Sequence, residues 1–223
     1  MEVLYFLKLR TKFIQQYYNT ASHPFFEIIR KIEFEEDPYI SYDYDEAGPP
    51  FELEWNEAQT SLQMLGLFCV SMLSDSLKLY FQTWEKQLGF KKTKNEMEVF
   101  KSSGFLAGYR RYFSERLDAE WADGPANLDI IEQVILARNR AAHPDHITSI
   151  SISHAQNDIK KYPNPLFVHE SEKDLPITIW TPTLDVSKQA LLDAIKQVET
   201  LTEWLEERMF AAKYKKIDIQ QKN

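Results

Sequence analysis

The sequence predicts an all-α protein, an antiparallel helical bundle with irregular insertions and at most one small β-hairpin. Its 223 residues include only 6 glycines, and several long segments repeat apolar residues at three- and four-residue spacing, the period of an amphipathic helix. Hydrophobic residues make up 43% and charged residues 27%, which excludes a disordered or low-complexity chain. This length is near the upper end of what one core can organise, so one domain competes with two small ones, and we predict a single domain over residues 1–223.

Two helices are predicted at the start of the chain. Residues 2–19 repeat apolar side chains at helical spacing, and residues 25–32 form a second, short pattern. The apolar side chains that the first helix would place largely on one side are Leu4, Leu7, Phe13, Ile14, Tyr17 and Tyr18.

Residues 33–56 are predicted to form an irregular acidic insertion. Ten acidic residues occur from Glu33 to Glu57, and no Lys or Arg occurs between Lys31 and Lys78. Prolines and a glycine within the run favour irregular structure. Two interpretations stay open: a solvated surface loop, or a flap that mimics phosphates over a basic groove.

The central core helix is predicted over residues 57–88, the longest apolar pattern in the chain. Gly89 is expected to end it, because glycine adopts the left-handed conformation without steric cost. Residues 91–116 then carry seven basic side chains against three acidic ones.

Arg110 and Arg111 in this basic stretch lie among aromatic residues, a composition that could pair phosphates while bases stack on Tyr109, Tyr112 and Phe113. The alternative is a solvated basic face whose aromatic side chains turn into the core.

The last part of the chain contains two predicted helices separated by an irregular insertion. Asn127 is a plausible N-cap for a helix over residues 128–143, which Pro144 would end. Residues 145–183 are predicted to be irregular, apart from a hairpin that could pair residues 166–169 with 177–180. A helix over 185–214 and a polar tail over 215–223 are expected to follow.

Charge and cysteine content restrict the partners and the compartment. The formal net charge of -8 has the wrong sign for a protein that binds nucleic acid over its whole surface, so any contact with nucleic acid must be local. Cys69 is the only cysteine, which excludes an intrachain disulfide and indicates a reducing cytoplasm. The N-terminal charges do not fit a signal peptide, and the apolar run 64–73 is short of the roughly 20 residues that cross a bilayer, so we expect no membrane contact.

The predicted helix over 128–143 carries the most informative side chains. Its apolar repeat runs through Leu128, Ile131 and Ile135 and then reaches Arg138, followed by Ala142. Arg138 should therefore face packed neighbours, where its permanent charge requires an anion. That anion could be a core carboxylate such as Asp75 or Glu132, or a bound phosphate. Asn139 and His143 are four residues apart and share a helix face, while Arg138 is about 140° from His143.

At these residues the chain resembles the HEPN superfamily, all-helical domains marked by an arginine, four to six intervening residues and a histidine. Arg138 and His143 match that spacing, and Asn139 matches the polar residue common after the arginine. The resemblance is strongest over residues 57–143 and 185–214. One departure is Asp145, which stands where a subset paired with nucleotidyltransferases has a tyrosine that the partner modifies.

The resemblance implies a metal-independent endoribonuclease of the toxin or defence kind that uses no cofactor. Catalytic members cleave RNA by attack of the 2'-hydroxyl on the adjacent phosphate, a reaction that suits a histidine as proton carrier and an arginine as phosphate ligand. Members typically form homodimers with their motifs facing across a cleft, and an antitoxin or regulatory protein is a possible partner. The expected catalytic residues are Arg138, Asn139 and His143, and the expected RNA contacts are Arg110, Arg111 and Arg140.

Three alternatives remain open. Arg138 and His143 could be structural, the histidine at a helix C-terminus and the arginine in an ion pair. The chain could be a non-catalytic HEPN module that binds a nucleotide or a protein. A metal reading would use His143, Asp145, His146 and His154, although their spacing fits no zinc pattern.

Overall fold

The computed structural model describes residues 2–41, 49–143, 151–173 and 181–221, with side chains of the last helix described through residue 215. Within these ranges the chain forms six α-helices and two short 3-10 turns, and its only β-pairings are the isolated bridges Ser153–Thr183 and Val168–Leu184. The predicted all-α class is confirmed. The α-helices are α1 (Val3–Glu33), α2 (Glu52–Leu88), α3 (Lys94–Leu117), α4 (Leu128–Ala142), α5 (Gln156–Lys161) and α6 (Lys188–Gln221).

The chain divides into two compact units, each assembled from separate segments. Helices α1, α2, α4 and α6 each contribute residues to both units. The expectation of a single domain stays a prediction. Unit 1 comprises Met1–Lys12, Met72–Val134 and Asp193–Asn223, and unit 2 comprises Phe13–Ser71 and Ile135–Leu192.

The first two helices are longer than predicted. Helix α1 continues through Pro24, where two separate helices were expected. Helix α2 begins at Glu52, so the predicted irregular insertion is wrong in its last residues. Trp55 explains the earlier start, because its side chain packs against the buried Ala58 and a neighbouring apolar cluster. Residues 42–48 of the insertion lie outside the described residues, so its two interpretations remain open.

Several helix ends follow their predicted capping residues. Gly89 adopts φ +63° and its N–H donates to the Glu85 carbonyl at 2.9 Å, which confirms the expected end of α2. Asn127 caps α4, since its Oδ1 accepts from the N–H groups of Asp129 at 3.0 Å and Ile130 at 3.3 Å. Helix α3 has a capping box of Thr93 and Glu96 that the sequence reasoning did not identify.

Unit 1 contains a buried carboxylate held by neutral donors. Glu206 accepts hydrogen bonds from the Tyr80 hydroxyl at 2.5 Å, the Trp84 indole at 2.7 Å and the Leu4 N–H at 3.3 Å. Burial and the nearby carboxylate raise the pKa of Tyr80 well above its ordinary value. The cluster therefore joins α1, α2 and α6 through polar contacts inside the core.

In unit 2 a polar side chain of α2 fixes the segments that precede and follow the irregular region. Gln63 Nε2 donates to the carbonyls of Ile152 at 3.1 Å and Leu184 at 2.9 Å. Gly66 lies so close to Val186 that an added Cβ would come within 2.7 Å of the Val186 Cβ. Only a glycine allows this approach, which places residues 184–186 directly against α2.

The predicted hairpin and the predicted tail differ from the structure. Residues 177–180, one arm of the hairpin, lie outside the described residues, and Val168 in the other arm bridges to Leu184. Helix α6 begins at Lys188 and continues to Gln221, so most of the predicted tail is helical.

Helix α2 is the one described helix long and apolar enough to cross a membrane by length and composition. Of its most apolar window, 61% is buried inside the protein. That burial fits the predicted role of α2 as a core helix.

Candidate active site at the end of helix α4

The last two turns of α4 carry the motif that the sequence analysis singled out. Asn139 and His143 are exposed, and Arg138 is half-buried. The N–H of His143 donates to the Asn139 carbonyl at 3.2 Å, so the helical spacing is maintained to the end of the motif. Asn139 and His143 therefore share a solvent-facing side of the helix, as predicted.

The buried stripe of α4 differs from the predicted one. The fully buried positions are Ile131, Val134 and Ala137, whereas Ile135 is half-buried and Ala142 is exposed. Ile131 belongs to both stripes, but the next buried positions, Val134 and Ala137, each come one residue, about 100°, before the predicted Ile135 and Arg138. Arg138 is half-buried, so it lies at the edge of the packed face, and the expectation that it faces packed neighbours stays a prediction.

The Arg138 guanidinium contacts its neighbour in the motif. Its Nη1 donates to Asn139 Oδ1 at 3.3 Å. Asp75, one of the carboxylates suggested as a core partner, is exposed, so it does not supply a buried anion. The two buried carboxylates of the described residues, Glu96 and Glu206, bind other side chains in unit 1.

Arg140 connects α4 to the segment that follows the motif. Its Nε donates to the Ser153 carbonyl at 2.8 Å. The adjacent Ile152 carbonyl accepts from Gln63, and the Leu184 N–H donates to the same carbonyl at 2.8 Å. Arg140 thus helps to hold the chain that returns after His143, and its predicted RNA contact stays a prediction.

Sequence reasoning missed Gln63 and Ser153 as supports of this region. Gln63 could have been identified, because it is a polar amide among the apolar residues of α2 and a buried amide requires hydrogen-bond partners. No pattern in the sequence marks Ser153, since it contributes only a backbone carbonyl.

His154 differs from His143 in its surroundings. Its Nε2 lies 2.6 Å from the Phe167 carbonyl, and burial lowers the pKa of the imidazole below its ordinary value. Asp145 and His146 of the metal reading lie outside the described residues. The residues that are described contain no group of three or more His, Cys, Asp or Glu that could hold a metal ion.

The aromatic side chains of the basic stretch are structural. Tyr109, Tyr112 and Phe113 are buried, so the aromatic side chains turn into the core and the base-stacking interpretation is wrong. The Tyr109 hydroxyl donates to Glu85 at 2.7 Å, and burial raises the pKa of Tyr112 to about 12.

Several cations of this stretch are paired with acids. Lys92 pairs with Glu85 at 2.6 Å, Arg111 pairs with Glu115 at 2.7 Å, and Arg116 pairs with Glu96. The exposed cations outside these pairs are Lys91, Lys94, Lys101 and Arg110. Arg110 and Arg111 belong to unit 1, whereas Arg138, Asn139, Arg140 and His143 belong to unit 2.

No protein-family model, curated protein or solved structure matches this chain. The resemblance to HEPN domains therefore depends on the motif residues and their helical frame.

Proposed function

We propose that the protein is a HEPN-like, metal-independent endoribonuclease of the toxin or defence kind. One observation carries the proposal: Arg138 and Asn139 are hydrogen-bonded near the end of α4, and His143 directly follows the helix, with the amide and the imidazole exposed to solvent. A substrate can therefore reach the Asn139 amide and the His143 imidazole.

The reaction assigns a separate task to each motif residue. His143 accepts the proton of the 2'-hydroxyl, whose oxygen then attacks the adjacent phosphorus. The Arg138 guanidinium donates hydrogen bonds to the phosphate oxygens, where negative charge accumulates in the transition state. The bond to the 5'-oxygen breaks, that oxygen takes up a proton, and a 2',3'-cyclic phosphate remains. Asn139 contacts Arg138 and orients it toward the phosphate.

Two proton carriers serve this reaction best, one as base and one as acid. Each chain supplies one exposed histidine in the motif, and His154 is a poor second candidate because burial lowers its pKa. A symmetric pair of chains would supply the second His143. Arg110 and Arg140 are the proposed guides for the RNA backbone, and an antitoxin or regulatory protein is the proposed partner.

The test is cleavage of mixed RNA in the presence of EDTA. Wild type should produce fragments with 2',3'-cyclic phosphate ends, and Arg138→Ala and His143→Ala should not. His23→Ala is the matched control, because His23 is an exposed histidine on α1, outside the motif. Circular dichroism and mass measurements verify that every variant keeps its helicity and assembly.

Two results would overturn the proposal. A well-folded protein that cuts no RNA, yet binds a nucleotide or protein at this helix end, would be a non-catalytic module. Cleavage that survives in His143→Ala would assign the activity to other residues or to a contaminant.

A further inference from the structure

Helix α1 is apolar on two sides. Leu7, Ile14 and Tyr18 are buried, whereas Phe13 and Tyr17 are exposed. The prediction that Phe13 and Tyr17 share the core side with Ile14 is therefore wrong. Packing within the chain accounts for only one of the two apolar sides.

The first three turns of α1, which belong to unit 1, expose large apolar side chains of their own. Tyr5, Phe6 and Leu9 are 54%, 52% and 44% exposed. The rings of Tyr5 and Phe6 meet edge to face with centroids 5.4 Å apart. We call these three residues the outer face. They are neighbours on one helix, which isolated surface hydrophobics are not.

Polar contacts on the opposite side hold these turns against α6 within unit 1. Three contacts to acidic residues of α6 recur about one turn apart: Leu4 N–H to Glu206, Lys8 to Glu203 and Thr11 Oγ1 to Glu199. The distances are 3.3 Å, 2.5 Å and 2.5 Å. Because the contacts follow one another along both helices, they fix the rotation of α1. The outer face therefore stays turned away from α6.

Two cations flank the outer face. Around the helix, Arg10 lies about 100° from Leu9 on one side and Lys12 lies about 60° from it on the other. Arg10 Nε donates to the uncharged Ser76 hydroxyl at 3.1 Å, so the positive charge of the guanidinium stays uncompensated. Lys12 is exposed, and no acid pairs with it among the residues that the structure describes.

The local charge is opposite in sign to that of the whole chain. Residues 2–12 contain three basic side chains and one acid, Glu2, although the formal net charge of the protein is -8. One of the three, Lys8, is paired with Glu203. An apolar stripe with a free cation on each side is typical of a helix that lies in the surface of an anionic bilayer. Its rings enter the lipid while the stems of Lys and Arg extend to the headgroups.

The size of the outer face argues against a protein partner. A large apolar side chain offers on the order of 200 Å², so three half-exposed side chains present roughly 300 Å². A stable protein interface buries about 800 Å² on each partner. A bilayer needs no such area, because it takes up side chains individually and also attracts the flanking cations. RNA fits less well, since Leu9 at the centre of the face offers no ring for a base to stack on.

We infer that the outer face binds the surface of anionic phospholipid bilayers, with Tyr5, Phe6 and Leu9 in the apolar boundary and Arg10 and Lys12 at the lipid phosphates. The expectation of no membrane contact concerned segments that cross a bilayer, and a helix in the plane of the surface does not need that length. This inference goes beyond the proposed ribonuclease activity and does not rest on it.

The test is sedimentation of the full chain with vesicles of phosphatidylcholine, with or without about one quarter phosphatidylserine. Wild type should sediment with the anionic vesicles and several-fold less with the zwitterionic ones. The double variant Phe6→Ser, Leu9→Ser should bind anionic vesicles roughly 10-fold more weakly or less, because two apolar contacts are lost. Phe34→Ser is the matched control, since Phe34 is 70% exposed but lies after α1, and it should bind as wild type does.

A second pair of variants tests the charge. Lys12→Gln should weaken binding to anionic vesicles roughly five-fold, the usual contribution of one lysine near such a surface, and should leave binding to zwitterionic vesicles unchanged. Lys101→Gln is its control, because it removes the same charge from an exposed position on α3. It should keep the wild-type affinity. Circular dichroism verifies that all variants keep their helicity, as expected for exposed side chains.

Two results with vesicles would overturn the inference: a wild type that stays in solution with anionic vesicles, or a double variant that sediments with them as wild type does. A double variant that is monomeric where wild type is dimeric would also overturn it and assign the outer face to a second copy. A double variant that loses RNA binding would assign the face to nucleic acid instead. Vesicle binding by a chain that cuts no RNA would support the inference and refute only the ribonuclease.

Discussion

Helix α3 and the last two turns of α4 both carry several arginines, but the surroundings of those arginines differ. In α3, Arg116 lies against the buried Glu96, and the aromatic side chains around it are part of the core. At the end of α4, Asn139 and His143 face solvent beside a half-buried Arg138. A count of cations therefore does not tell which groups a substrate can reach, since pairing and exposure differ from one side chain to the next.

The largest expected effect is a loss of RNA cleavage when the motif at the end of α4 is changed, which a change in α3 should not reproduce. His143→Ala should reduce RNA cleavage by about 10²–10⁴-fold, the usual contribution of one general acid or base. Its unfolding free energy should change by less than about 0.5 kcal/mol, because the side chain is exposed. Single-turnover cleavage and urea unfolding measure the two quantities. A large loss of stability would give His143 a structural role instead.

The opposite signature is expected in α3. Glu96→Ala should lower the unfolding free energy by about 3 kcal/mol, because it leaves the Arg116 cation without its partner and removes the capping box. Glu98→Ala, an exposed acid on the same helix, is the control and should change it by less than about 0.5 kcal/mol. A similar small change in both variants, measured by urea unfolding, would contradict the buried ion pair.

His154, which follows the motif in sequence, predicts a pH effect on stability. Burial lowers the pKa of His154 below its ordinary value of 6.5, so the unfolded chain takes up a proton there before the folded one does. Stability should therefore fall as pH decreases through 6.5 toward the folded pKa, by at most about 1.4 kcal/mol per pH unit. His154→Gln can still donate to the Phe167 carbonyl but does not titrate, so its stability should depend less on pH between 5 and 7. Equal pH slopes for both proteins would show that His154 is not responsible.

The smallest expected effect is on RNA binding, and it differs between two neighbouring arginines of α3, Arg110 and Arg111. Arg110→Ala should weaken RNA binding several-fold. It should also make the slope of log binding constant against log salt concentration shallower by about one, because one phosphate contact is lost. Arg111→Ala should have a smaller effect, because Arg111 is paired with Glu115. Binding titrations at several salt concentrations measure both. Identical losses would show that the pair opens freely to RNA.

Local signals predicted much of the helical frame. Gly89 and Asn127 marked two helix ends because their conformational and capping preferences act over a few residues. Helix α4 ends within one residue of its predicted end. The early start of α2 was missed because it depends on the packing of Trp55 against residues from α1.

The candidate site was predictable in composition but not in orientation. The spacing of Arg138, Asn139 and His143 placed them on one helix end, and the shared face of Asn139 and His143 follows from helical geometry alone. The half-burial of Arg138 did not follow, since the apolar repeat of α4 fits two stripes one residue apart. Packing in the folded chain selected the one through Val134 and Ala137.

The sequence alone determined the all-α class, the helix ends with strong caps and the residues of the motif, because periodicity, capping and spacing act between near neighbours in the chain. Only the tertiary structure decided which polar and aromatic groups are available. It buried Tyr109, Tyr112 and Phe113, joined Arg116 to Glu96 and Arg140 to the Ser153 carbonyl, and left Phe13, Tyr17 and Phe68 exposed. The physical reason is that burial and pairing depend on partners distant in sequence, which no local pattern specifies.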